Sequence, residues 1–387
     1  MLVFGWRTAL MALAGAQLVL LALALLTAER NRTANRLLAA MLIVLVGLLT
    51  PYGIGFAGFY DLWPWLSFAP LAMPLALGPL LWGYTRALTA GAAPKHFAVH
   101  LAPAMAHFVY SAICFSLPLA AKHSWAIEVH DIWIEPLISA ATLIGLSAYC
   151  LAAFALLRRY RAALDGERSD APRYAARWLS RAIAAMLIAL IAWGGYQAAE
   201  LALGRFDYFQ MFGLYLVLGA VGLYLAIEGW RHAGLAFPPL LAVADRPAEE
   251  PAAPVASGRD WAASGAKWAA ETEAGGWWRD DGLSLSTLAA HLGTNTSYLS
   301  RALNEGLSQN FASFVNALRA DAVAAALRAG DTGDLLTLAL DNGFASKASF
   351  NRAFRARFGL SPSDFRKENG SKDKVPAESR VLERAAE

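Results

Sequence analysis

Charge is what this chain lacks most. Asp, Glu, Lys and Arg make up 16% of its 387 residues, against 57% hydrophobic ones, whereas a soluble domain carries about 25% charged residues. A chain that is soluble throughout is thereby excluded. Cysteine is nearly absent as well. Cys114 and Cys150 both fall in apolar runs, at depths expected to differ too far for a disulfide, so both read as small packing residues. There is no Walker loop, no pair of catalytic carboxylates in a soluble segment, no His–Glu zinc motif, and no kinase or phosphoacceptor domain. These absences speak against an enzyme and against phosphotransfer, and the sequence calls for no cofactor.

The charge deficit is uneven. Up to about Trp230 long apolar runs alternate with short polar breaks, and beyond it the composition is that of a soluble protein. A bilayer-spanning helix needs about 20 mostly apolar residues. Seven runs qualify: 8–28, 37–59, 66–88, 97–120, 132–157, 179–203 and 208–228. The third holds Pro70, Pro74 and Pro79, so a kink is expected there. The first is too long for the apolar core of a secretory signal.

Basic residues favour alternate breaks. Arg30, Arg32 and Arg36 follow the first run, Arg86 and Lys95 bracket the third break, and Arg158, Arg159, Arg161, Arg168, Arg173, Arg177 and Arg181 crowd the fifth. The breaks between are acidic or nearly uncharged. Cytoplasmic loops collect Lys and Arg, so the N-terminus is expected outside and the C-terminus inside.

Residues 233–258, rich in Pro, Ala and Glu, read as a flexible linker. A lead-in helix is expected over 259–276, then a domain over 277–368 and a polar, disordered tail over 369–387. The domain holds two similar units. In the first, a short helix over 286–292 meets Gly293, Asn295 can cap the next helix, and Leu299, Ala302 and Leu303 face inward. In the second, a helix over 335–340 meets Gly343, Ser346 caps, and 347–358 form the next helix. Helix, glycine turn, helix is a plan whose second helix enters the DNA major groove. Between the units, 309–329 form a long helix. About 20 residues of helix span roughly 30 Å, close to the roughly 34 Å between successive major grooves on one face of DNA.

The run GFASKASFNRAFRARFGLSPSDFR, residues 343–366, closely resembles the C-terminal hallmark of AraC-type transcription regulators. The stretch LAAHLGTNTSYLSRALNEGLSQNFASFVNALR resembles that family's first unit and linker helix. The resemblance covers 277–367. It implies base contacts by Ser297, Ser300 and Arg301 in the first unit and by Lys347, Asn351 and Arg352 in the second, with Arg355 on a phosphate. Ala348 departs from the polar residue common at its position, and Leu336 and Leu338 stand where isoleucine is common, so base specificity stays open. Many similar proteins carry a soluble sugar-binding barrel in front, whereas here apolar runs take its place.

The expectation is therefore an all-α protein, a polytopic seven-helix bundle followed by a cytoplasmic double helix-turn-helix domain. It would sit in a bacterial inner membrane as a one-component regulator. Its partners would be double-stranded promoter DNA, the lipid bilayer and RNA polymerase, together with a second copy in a homodimer and an unknown small-molecule or membrane signal. A transporter with a regulatory appendage is the alternative, although no inverted repeat supports it. A third reading has the two units bind protein instead of DNA.

Ionisable and aromatic groups in the bundle are the candidates for sensing. Trp193, Tyr196, Gln197 and Glu200 share one side of the sixth run, with Glu135 as a neighbour, and could line a small-molecule pocket; ordinary packing with an interfacial aromatic belt is the plainer reading. His100, His107 and Cys114 are seven apart and cannot share one metal ion. His123, Glu128, His130 and Asp131 lie close in sequence but match no strong ligand motif, and no metal site is expected.

Overall fold

The computed structural model describes residues 2–203, 211–240 and 260–372, without side chains at 200–203 and 369–372. Most of the expected linker and tail therefore lies outside the described residues. The chain divides into two compact units, 1–160 with 176–247, and 161–175 with 248–387.

The longer described helices of the first unit are α1 (Trp6–Leu26), α2 (Arg32–Phe56), α3 (Leu77–Ala90), α4 (Phe97–Ser116), α5 (Leu119–Glu167, whose end from Arg161 on belongs to the second unit), α6 (Arg177–Leu203) and α7 (Phe212–His232). Among the described residues six of these are long and apolar enough to cross a membrane. Leu13, Leu20, Ile144, Ile188 and Ile191 point outward from them, as lipid-facing residues do. Inside, small residues let backbones approach: Gly222 and Gly229 of α7 face Leu45 and Leu38 so closely that a Cβ would collide.

The expected third span is corrected. Residues 64–66 and 74–76 are single 3₁₀ turns, and only the 14 residues of α3 form a regular helix. Fourteen residues rise about 21 Å, short of the roughly 30 Å hydrocarbon core. Pro64, Pro70 and Pro74 each remove a backbone donor and fix φ, so a break replaces the kink. Irregular backbone at membrane depth must find its partners inside the protein. Here Lys122 donates to the Trp65 carbonyl at 2.7 Å, and Gly47 of α2 leaves room for the Leu71 carbonyl. Twelve of the 14 residues of α3 are buried, which makes it an interior helix.

Cys114 and Cys150 are both buried free thiols. His100 is hydrogen-bonded to Tyr149 at 2.7 Å, as a packed histidine should be. Around Glu128 and Asp131, α5 carries a π-helical stretch, Ala126–Ile134, in which His130 meets the Tyr110 hydroxyl at 2.9 Å.

In the second unit α8 (Trp261–Gly275) is followed by α9 (Leu285–His291), α10 (Thr296–Arg301), α11 (Phe311–Arg328), α12 (Leu335–Asp341), α13 (Lys347–Phe358) and α14 (Pro362–Lys372). Two cores form, and α11 serves both. Its Phe311, Phe314 and Val315 join Leu288, Leu299, Leu303 and Trp268 in the first. Its Ala320, Val323, Ala324 and Leu327 join Phe344, Phe350, Phe354 and Phe365 in the second. The lead-in helix α8 thus packs into the first core through Trp268.

Candidate nucleic-acid interface

Local sequence chemistry builds each helix-turn-helix. In the first unit Ser284 Oγ accepts the Thr287 N–H at 3.1 Å to start α9, Gly293 takes φ +62° in the turn, and Asn295 Oδ1 accepts the Tyr298 N–H at 2.8 Å to start α10. The second unit repeats the scheme. Asp334 caps α12 through the Thr337 N–H at 2.9 Å, Gly343 takes φ +83°, and Ser346 Oγ accepts the Ser349 N–H at 3.2 Å. Each cap satisfies a donor that the helix itself leaves orphaned. Gly343 is doubly constrained, because a Cβ there would also press on the Arg279 carbonyl.

With the inward faces spent on the cores, the other faces point to solvent. On α13 these are Lys347, Asn351, Arg352 and Arg355, all exposed. Among the described residues, the side chains of Asn351, Arg352 and Arg355 make no hydrogen bond or ion pair. Arg357, by contrast, is held by both oxygens of Asp321 at 2.9 Å. The second unit therefore presents two unengaged guanidinium groups beside an amide. An Asn or Arg side chain so placed can make bidentate hydrogen bonds to a base edge.

The first unit differs. Ser297 is exposed, Ser300 is half-buried and accepts a hydrogen bond from Asn304 at 3.2 Å. Arg301 lies over the Trp261 ring at 4.6 Å and pairs with Glu305 at 2.9 Å. The Glu305 hydrogen bond holds the Arg301 guanidinium above its ordinary range. Its fork is thus held in place by Glu305. The i,i+4 spacing of Arg301 and Glu305 was open to view in the sequence; the stacking of Trp261 required the fold.

Arg319 of α11 points into the interior. It is 1% exposed and donates to the carbonyls of Trp278 and Asp280, both at 2.6 Å. Arg328 lies over the rings of Phe358 and Phe365.

The first unit of the chain holds a cavity of about 250 Å³ among α2, α3, α4, α5, α6 and α7. Trp193 and Glu135 both line it, whereas Tyr196 and Gln197 do not; the Glu200 side chain lies outside the described residues. Sequence reasoning missed Tyr52 and Tyr215, whose rings meet at 3.4 Å. His107 and His130 line the cavity as well. Among the described residues, the Nδ1 of His107 is buried with no hydrogen-bond partner. No single run carries this set, so no periodicity could have shown it.

Residues 288–368 match a family model described as a helix-turn-helix domain. No curated protein and no solved structure matches the chain. A domain of this family points to double-stranded DNA and to transcription regulation, not to catalysis. Residues 288–368 are an AraC-type helix-turn-helix domain, at the end of a chain with six helices long and apolar enough to cross a membrane.

Proposed function

We propose that the chain is a membrane-embedded one-component transcription regulator that binds promoter DNA through both helix-turn-helix units. The observation that carries this is the exposed face of α13, with Asn351, Arg352 and Arg355 unengaged, on the same chain as six apolar helices. The 18 residues of α11 rise about 27 Å, which supports placing α10 and α13 in neighbouring grooves. Ser297, Ser300, Arg301, Lys347, Asn351 and Arg352 are the base-contacting set, and Arg355 binds a phosphate. The N-terminus lies outside and the domain in the cytoplasm, as the basic breaks favour. In this arrangement residues 57–90 still return to the inner side, with α3 shielded by its neighbours instead of facing lipid. Dimerisation would raise the effective concentration at the promoter.

The test is genome-wide occupancy of the full-length protein beside its Arg301→Ala/Arg352→Ala variant. Each lost base contact is expected to cost about 1–3 kcal/mol, so discrete peaks should fall to background. Peaks unaltered in the variant would mean that the units do not read DNA in this way.

The signal is read in the cavity lined by Trp193 and Glu135. Glu135→Gln with Trp193→Ala is expected to change target-gene output across growth conditions while occupancy in the basal state stays within about twofold. Output that tracks the parent protein under every condition would remove the cavity from the mechanism.

A further inference from the structure

Residues 161–175 comprise the last turns of α5 and the break before α6, yet they belong to the same compact unit as the helix-turn-helix domain. The sequence shows them as a basic polar break, and a solvated loop would expose its serine and aspartate. The reverse holds here. Ser169 is 1% exposed and Asp170 is 4% exposed.

Their polar groups are satisfied by the domain. Arg168 forms an antiparallel bridge with Ser284, the cap of α9. The Ser169 hydroxyl donates to the Leu283 carbonyl at 3.2 Å, and the Ser169 carbonyl accepts from Asn316 Nδ2 of α11 at 3.1 Å. Glu167 accepts the Ser286 N–H at 3.4 Å. Within the loop, Asp170 takes both arms of the Arg168 guanidinium at 2.7 and 3.0 Å. Its charge also acts on Arg319. Arg161 donates to the Ala175 carbonyl at 2.7 Å, tying the two ends of the loop together. The contacts named here fall on the start of α9 and on α11. The exposed residues of α10 and α13 are not among them, so the docked loop leaves the DNA-reading faces open.

We infer that Glu167–Asp170 is an intramolecular docking segment, a handle by which the membrane part holds the first helix-turn-helix unit. Displacement of α5 against α6 then moves the DNA-binding domain directly, and residues 241–259 need carry no signal. The inference deepens the regulator reading by naming the surface on the domain and its partner on the same chain.

An antiparallel bridge holds paired Cα atoms about 4.5–5.5 Å apart, inside the roughly 4.4–6.8 Å that a disulfide needs. Arg168→Cys with Ser284→Cys, in full-length protein lacking Cys114 and Cys150, is therefore expected to cross-link within one chain under mild oxidation in native membranes. An Arg168→Cys/Asp331→Cys control should cross-link at least tenfold more slowly. Equal rates in the two pairs, or no cross-link in either, would overturn the dock. This readout needs no DNA, so it fails independently of the occupancy test. Adding Ser169→Trp should slow the cross-link at least tenfold and shift target-gene output at least threefold, with the occupied sites retained. Unchanged output from the undocked variant would refute the coupling.

Discussion

Replacing Phe354 by alanine is expected to cost about 3–5 kcal/mol and to unfold the second helix-turn-helix unit. Phe354 is fully buried. Its ring meets those of Phe350 at 5.6 Å, Phe358 at 4.7 Å and Phe365 at 5.2 Å, so it joins α13 to α14 at the centre of the second core. Such a loss is a large share of the roughly 5–15 kcal/mol that hold a whole domain together. Amide exchange across 335–358 should then approach the unfolded rate while 285–303 stay protected. Occupancy should disappear although Lys347, Asn351 and Arg352 are all still present. Phe354→Leu, which refills much of the volume, should recover most of the protection. Unchanged exchange in Phe354→Ala would show that the aromatic cluster does not sustain the unit.

Arg319→Met is expected to destabilise the first helix-turn-helix unit by about 1–3 kcal/mol for each buried carbonyl it leaves without its donor. Burial pulls the Arg319 guanidinium down to about 10, against the opposing pull of Asp170, Asp280 and Asp281, so it stays protonated at neutral pH. It ties α11 to the Trp278–Asp280 segment that leads into α9 through two carbonyls, and it also donates to the Asn316 Oδ1 of its own helix. Methionine fills the space but leaves those carbonyls short of donors. Arg319→Lys keeps the charge without the planar fork and should restore only part of the loss. Urea denaturation followed by amide exchange at 279–288 measures both. The Arg168→Cys/Ser284→Cys cross-link should weaken in parallel, because Asn316 serves Arg319 and Ser169 together. A midpoint unmoved by Arg319→Met would mean that water replaces the guanidinium at no cost.

What could be read from residues alone follows local rules. The caps at Asn295 and Ser346, the positive-φ glycines at 293 and 343, and the extent of α13 rest on interactions within a few positions of each other. Such interactions leave their mark in the spacing. Apolar runs long enough to cross a membrane are equally local, because hydrocarbon selects for length and composition. The run 66–88 shows where the rule stops. Its composition satisfies the criterion, but prolines break the helix, and whether the broken backbone finds partners depends on Lys122 and Gly47, far away in the chain.

The sequence by itself determined the all-α class, the two helix-turn-helix units, and which side chains of α13 face away from the core. Periodicity and capping dictate those without reference to anything distant. Only the tertiary structure decided that Arg319 is an interior strut, that Arg301 is held between Trp261 and Glu305, and that Glu135, Trp193, Tyr52 and Tyr215 share a cavity. It also decided that a basic loop buries Ser169 against the domain. The reason is the same in each case: burial of a polar group is settled by partners far off in the sequence, and no repeat or spacing announces them.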